Sequence, residues 1–328
     1  MSFLKKVFKG LPLGLQGKIK SAYVLLRSIP GGLELALIRR QVLLALGNRR
    51  SLSASKLRVC VFPNRLNKLK YLQSDGYALE KILTVLNPMI IQYSPWEKYD
   101  VLINWQDLTH NSINTDSYIN EAFAFTGLRG PSIRINLQCN DISKKSIGLA
   151  NKAVLGYELD IDPSIYEGLV VCKSDANATH DGSIIKCPID INRIQQLKTY
   201  NVLIDNTDGE WVYDMRMIYM GQILDFFYLK RRPIGERFSN TNSHVEIKDT
   251  LSYFDQNEIQ NLNSICKQLR LDYGEVDVLR DRITKKIYLV DVAKTPAGPP
   301  NGLPWSEARK AIQKMSVAFA NNLLLVEP

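Results

Sequence analysis

Polar and apolar positions alternate with the period of a β-strand at Val276–Leu279, and Ile287–Val292 is a β-rich apolar run. The charged segment Asp281–Lys286 between them predicts a hairpin loop. Alternate residues of a strand point the same way, so pairing these strands sets Asp277 beside Asp291 on one face. Two facing carboxylates repel unless a cation lies between them, and hard oxygen ligands suit Mg²⁺. An ordinary hairpin with polar edges accounts for the same residues equally well.

Earlier in the chain the pattern predicts strands at Leu57–Phe62, Met89–Tyr93 and Tyr99–Asn104, with a helix over Asp75–Leu86. That order suggests a small α/β layer with parallel pairing. It has no GxGxxG, so a dinucleotide site of the Rossmann type is not supported. Asp141 or Ser143 is placed to cap a helix running to Lys152, and strands follow at Gly168–Ser174, Ser183–Lys186, Asn201–Asp205, Trp211–Met220 and Ile223–Leu229. The rigid loop Pro296–Pro304 precedes a helix over Trp305–Leu325. At the other end, Tyr23–Ile29 and Leu33–Leu46 read as helices broken by Pro30, Gly31 and Gly32.

Charge changes the reading of that first segment. Residues 1–50 hold ten Lys/Arg and a single acid, Glu34, a net +9 that equals the charge of the whole 328-residue chain. The remainder is balanced, which argues against a nucleic-acid-binding body. A basic amphipathic leader fits the surface of an anionic membrane. It equally fits a helix packed on the body or on a partner. No apolar run approaches 18 residues, and charges interrupt any segment a secretory signal would need. The five cysteines lack CxxC spacing, so neither zinc nor a disulfide framework is indicated, and a reducing, cytoplasmic setting is expected.

Several cations stand where a phosphate would explain them. Lys144 and Lys145 fall in the first turn of a helix, an unfavourable place for positive charge unless an anion is near. Lys173 ends a strand before a loop of small and hydroxyl residues, a setting suited to nucleotide phosphate. His180 in that loop is a candidate base or a surface residue. Arg216, Lys230, Arg231, Arg232 and Arg237 gather at the ends of apolar strands, to bind phosphate and carboxylate or to pair with local acids.

In order and spacing these segments resemble the ATP-grasp superfamily, nearest its glutamate-ligase-like (RimK-type) branch, over roughly residues 135–325. The resemblance implies a mixed α/β and α+β protein: a leader and linker at 1–56, a small N-terminal α/β subdomain at 57–135, and an ATP-grasp domain at 136–328. It implies phosphate contacts from Lys144 and Lys173 and an adenine hinge at Leu203, Ile204 and Asp205. Asp214-Met-Arg216 answers to the family's Asp-Ile-Arg strand, and Arg237–Asn240 to its Phe-Arg-Ser-Asn segment with Arg and Phe exchanged. Catalytic roles then fall to Arg216, Lys230 and Arg237, cofactor contacts extend to Asn240, and Asp277 and Asp291 become Mg²⁺ ligands. The departure is Ala293, which stands where the family has a metal-binding Asn; fewer ligands, substitution by Asp281, or impaired catalysis would follow.

The implied activity is an ATP- and Mg²⁺-dependent carboxylate–amine ligase working through an acyl phosphate. Its substrate would be an amino acid or sugar-linked acid of envelope or polysaccharide synthesis, joined to a nucleophilic acceptor, with residues 1–50 in peripheral contact with the inner face of the membrane. A kinase on the same nucleotide cradle, and a nucleotide-binding regulatory protein without turnover, are the alternatives.

Overall fold

The computed structural model describes residues 32–47, 56–63, 66, 69, 72–73, 75–110, 114–177, 179–239 and 241–325. The basic stretch before Gly32, including Tyr23–Ile29, lies outside the described residues.

Four short strands, β1 (Arg58–Pro63), β2 (Met89–Ile91), β3 (Val101–Trp105) and β4 (Ile133–Ile135), form a parallel sheet in the order β2-β1-β3-β4. Helix α1 (Gly32–Leu46) precedes it and α2 (Ala78–Leu86) crosses it. Parallel pairing follows from the near-continuous apolar runs, which suit strands covered on both faces. Helix α3 (Thr115–Thr126) links β3 to β4, capped by the Asn114 side chain, which accepts from Ser117 N. The pattern gives little warning of α3, because only Thr115, Ile119 and Phe123 are buried along it.

Two antiparallel sheets follow helix α4 (Lys144–Leu155). The smaller has the order β6-β5-β7, from β5 (Gly168–Ser174), β6 (Ser183–Cys187) and β7 (Lys198–Val202). The strand expected at Asn201–Asp205 begins and ends earlier. Asp205 and Asn206 leave it to form a hinge, in which Asp205 Oδ1 accepts from Thr207 N at 3.2 Å and Asn206 Nδ2 donates to Tyr213 O at 2.6 Å.

The larger sheet runs β11-β10-β9-β12-β13, with β8 (Thr207–Asp208) added on β9. Its strands are β9 (Trp211–Met220), β10 (Ile223–Pro233), β11 (His244–Asp249), β12 (Tyr273–Arg280) and β13 (Ile287–Ala293). Helix α5 (Gln256–Gln268) intervenes, and α6 (Trp305–Phe319) runs on into a π-helical turn over Ala320–Leu324.

One face of this sheet changes character along its length. Ile218, Met220, Phe226, Tyr228 and Tyr273 are buried in the largest core, with α2, α6 and the parallel sheet. Further along the same strands and face stand Asp214, Arg216, Lys230, Arg232 and Asp277, because residues two apart share a face. The opposite face, with Met217, Phe227, Val276 and Leu289, packs on α4 and α5.

Helix α6 buries Ala308, Ala311, Ile312, Met315 and Phe319, the stripe expected of an amphipathic helix. Helix α1 buries Ile38, Val42 and Leu46 in the same core and leaves Leu37, Leu43 and Leu44 exposed. This part of the leader therefore packs on the body. No helix among the described residues is long and apolar enough to cross a membrane.

Asn136 joins the parallel sheet to β12. Its side chain donates to Tyr273 O at 2.7 Å and accepts from Asp272 N and Tyr273 N at 2.8 and 3.0 Å. All five cysteines are free.

Candidate active site

The two antiparallel sheets face each other across a cleft. The small sheet contributes Val171, Lys173, Ser174, Asn201 and Val202, and the large one Asp214, Asp277, Leu279, Val290 and Asp291. Ile204 and Asn206 of the hinge close one end, and the loop Ala176–Gly182 covers another side with Phe238. Gly182 is required there, because a Cβ would lie 2.5 Å from the Phe238 ring.

The expected hairpin forms, and its register sets Asp277 directly opposite Asp291, with a bulge just beyond Asp277. Each carboxylate already holds protein cations. Asp277 accepts two bonds from Arg216, from Nε and Nη2, both at 2.8 Å, with Lys230 Nζ 3.4 Å from Oδ1. Arg216 reaches it because β9 and β12 pair at those two residues. Burial alone would push the Asp277 carboxyl up, but Arg216 and Lys230 overcome it and hold it well below the usual range. Burial likewise opposes the Arg216 charge, and Asp277 outweighs it.

Asp291 pairs with the Lys144 ammonium, which also donates to Asn177 Oδ1 at 3.1 Å. Lys144 opens α4, whose cap is Ser143 accepting from Ser146 N at 3.1 Å. The charge that looked misplaced at a helix start is thus turned onto Asp291. Lys145 is exposed and does not line the cleft.

Lys173 faces the cleft from β5, and its ammonium lies 3.5 Å from Val290 O. Burial pushes it down to about 8, helped by Lys144 and opposed by Asp291 and Asp160. Asp160 accepts from Asn201 and rests over Gly148 of α4, where a Cβ would come within 2.1 Å of its Oδ2. Burial raises the Asp160 carboxyl to about 6.

Among the residues named from the sequence, Lys144, Lys173, Ile204, Arg237, Asp277 and Asp291 line the cleft together, and so does His180. Arg216 and Lys230 contact Asp277 without lining that cavity. Arg237 donates to Ile204 O at 3.3 Å and to Asn206 Oδ1, so it ties down the hinge. Leu203 and Asp205 belong to the hinge but do not line the cleft. Asn240 lies outside the described residues.

Asp281 is engaged in the β12–β13 turn and at the hinge. Its Oδ1 accepts from Ile283 N and Thr284 N at 3.1 and 2.7 Å, and its Oδ2 from Asp205 N at 3.0 Å. Arg282 adds a forked pair to Asp205 Oδ2 at 3.2 and 2.8 Å, and its backbone N donates to Asp205 O at 2.6 Å.

Sequence reasoning missed Asn177, which links Lys144 to Val292 O through a 3.1 Å bond and anchors the loop on Thr109. It missed Phe238 and Asp160 as well. Only the small residues around Asn177 hinted at a close approach.

Asp277 and Asp291 are the carboxylates that would meet a Mg²⁺ ion in this cleft, Asp277 only by giving up a bond to Arg216. Magnesium takes one or two carboxylates and completes its shell with phosphate oxygens and water. The Asp291 side chain is 40% exposed, which leaves it open to such an ion. No group of three or more acidic, Cys or His side chains gathers among the described residues, so the protein offers no larger cage.

No family model matches the chain, and no curated protein matches it closely in sequence. Solved structures do resemble it. An ATP-grasp protein with a RimK domain from Sphaerobacter thermophilus is 12% identical, with a TM-score of 0.44 over 81% of this chain and 99% of that one. D-alanine–D-alanine ligase from Bacillus anthracis is 9% identical, with a TM-score of 0.47 over 81% of this chain and 96% of the ligase. A macrocyclase from Microcystis aeruginosa, solved with its precursor peptide, is 12% identical, with a TM-score of 0.42 over 82% and 99%. At these values the likeness carries no argument about the site, whose reading rests on its own side chains.

Proposed function

We propose that the chain is an ATP-dependent carboxylate–amine ligase of the ATP-grasp type. The observation that carries this reading is the meeting, in one cleft between two antiparallel sheets, of Lys144 and Lys173 with the opposed pair Asp277 and Asp291. Lysines there suit the phosphates of a nucleotide, and Val171, Val202, Ile204 and Leu279 offer apolar walls for its base.

A carboxylate is a poor acyl donor because its leaving group would be an oxide. In the proposed reaction a carboxylate oxygen of the acid attacks the γ-phosphorus of ATP, and the bond to ADP breaks. An amine then attacks the carbonyl carbon of the acyl phosphate, inorganic phosphate leaves, and the amine loses a proton. The protein positions the reactants and neutralises charge. Lys144 and Lys173 hold phosphate oxygens, and Arg216 and Lys230 set the charge around Asp277. Arg237 keeps the hinge in place beside the base. Asp277 and Asp291 would hold Mg²⁺, which would offset the charge of the phosphates when bound.

The proposed acid is an amino acid or a sugar-linked acid of envelope synthesis, and membrane contact through residues 1–50 belongs to the same proposal. Ala293 favours one second reading, a protein that binds nucleotide without turning it over.

Thermal unfolding of the full chain with ATP, with and without Mg²⁺, tests the central point. Ligand at a hundredfold excess over its Kd adds about 2.7 kcal/mol, a rise of a few degrees in Tm. Mg²⁺ should enlarge the rise. Lys173 carries its charge only below its lowered pKa of about 8, so the ATP-induced rise should fade above that pH. Lys173→Arg should keep it, since arginine stays charged. No rise at millimolar ATP overturns the reading. Release of ADP that depends on an added amine separates a ligase from a kinase.

A further inference from the structure

Glu275 takes no part in the site described so far. It is 2% exposed, yet neither of its carboxylate oxygens has a hydrogen-bond partner. A buried polar group left without a partner is a net cost, so it needs an explanation. It stands two residues before Asp277 on β12, where the charged half of the sheet face meets the apolar half. Gly298 lies beside it, where a Cβ would be 3.4 Å from its Oε1.

Its nearest paired cation is Arg216, with Nε 3.7 Å from Glu275 Oε2. That guanidinium spends Nε and Nη2 on Asp277, each at 2.8 Å. One arginine therefore stands between two carboxylates of the same strand face, doubly bonded to one and just out of reach of the other. Closing the gap takes a movement of about 1 Å, to the usual bond length near 2.8 Å, within the range of a side-chain rotation.

We infer that Arg216 changes partner. Asp277 holds it while the cleft is free of other cations, and Glu275 receives it when a divalent ion carried by nucleotide phosphates engages Asp277 and Asp291. The inference rests on the nucleotide reading above. An arginine on both oxygens of Asp277 leaves little acceptor capacity for a metal, and two cations on one carboxylate repel each other. Glu275 supplies the displaced guanidinium with two unused oxygens at the shortest distance. It is a positioning residue that acts through Arg216, and its own lack of partners in this state is what keeps it ready.

The test compares the full-length protein with Glu275→Gln, which preserves shape and removes the acid. ADP binding is measured by titration calorimetry without divalent ion and over a series of Mg²⁺ concentrations. Glu275→Gln should bind ADP as the wild type does without Mg²⁺ and should need roughly tenfold more Mg²⁺ to reach the same affinity, the scale of an ordinary coupling between sites. Adding Arg216→Gln should remove that difference, because no guanidinium is then left to displace. An unchanged Mg²⁺ requirement in Glu275→Gln overturns the inference alone. So does an equal loss of ADP affinity with and without Mg²⁺, which marks a structural role. Wild-type protein that binds no ADP under either condition overturns the nucleotide reading and this inference with it.

Discussion

Asparagine in place of Asp277 is expected to cost about 3 kcal/mol of folding stability and to abolish any Mg²⁺ dependence of nucleotide binding. The amide keeps the shape of the carboxylate but not its charge, and half of it presents N–H groups to a guanidinium that has only donors. Arg216 and Lys230, whose side chains are 28% and 5% exposed, would then face each other without the acid that holds both. Breaking a buried pair from one side typically costs about 3–5 kcal/mol. Asp214 and Glu275 nearby temper the loss toward the lower figure. Acidity gives the effect a signature. The Asp277 carboxyl is held well below its usual range, so its contribution is complete above the unfolded value of about 3.9 and is lost as pH falls below it. Urea denaturation should show a gap between wild type and Asp277→Asn that is constant from about pH 7 to 5 and narrower at about pH 3. A gap that holds its full size in acid would mean that charge is not what Asp277 contributes.

Asn136→Ala should be the most damaging substitution outside the cleft, at about 4 kcal/mol. The Asn136 side chain is the partner of three backbone groups, Asp272 N, Tyr273 N and Tyr273 O, at a site with no exposure. Each group left unpaired costs about 1–3 kcal/mol. Its backbone adds to this, with φ at 59°, a conformation in which alanine loses about 1 kcal/mol or more. Asn136→Gly should therefore recover about 1 kcal/mol of the loss and no more, since glycine adopts that φ freely but makes none of the three bonds. Chemical denaturation of the three proteins measures both steps. Equal stabilities for the alanine and glycine variants would show that backbone conformation contributes nothing here.

Much of this architecture is legible in the chain, for reasons that differ by element. Strands β9 and β12 can be read because apolar residues alternate with acidic and basic ones along them, and β10 and β13 because they are β-rich apolar runs. The facing of Asp277 and Asp291 needs more than alternation: counted from the turn, regular pairing would set Asp277 against Val290, and the register shift between Asp277 and Val278 brings Asp291 opposite it instead. Helices α3 and α5 escape notice because each buries few positions, and their caps at Asn114 and Asp255 are clear only once the helices are known. The partners of the charged residues are the part that alternation cannot supply. Arg216 meets Asp277 through the pairing of β9 with β12, and Lys144 meets Asp291 across more than a hundred residues of chain. Lys144 and Arg216, which look ready for phosphate in one dimension, are in three already matched to acids, whereas Lys173 meets only a backbone carbonyl. Asp281, a carboxylate close by in sequence, has Oδ1 bonded within the turn and Oδ2 bonded to Asp205 N of the hinge.

The bonds that occupy Asp281 also decide how the cleft can open. Asp205 is fastened by its N–H, its carbonyl and its carboxylate to Asp281 and Arg282. A knuckle secured on three sides does not swing. The two sheets are latched together at that knuckle, at the end of the cleft that Ile204 and Asn206 close.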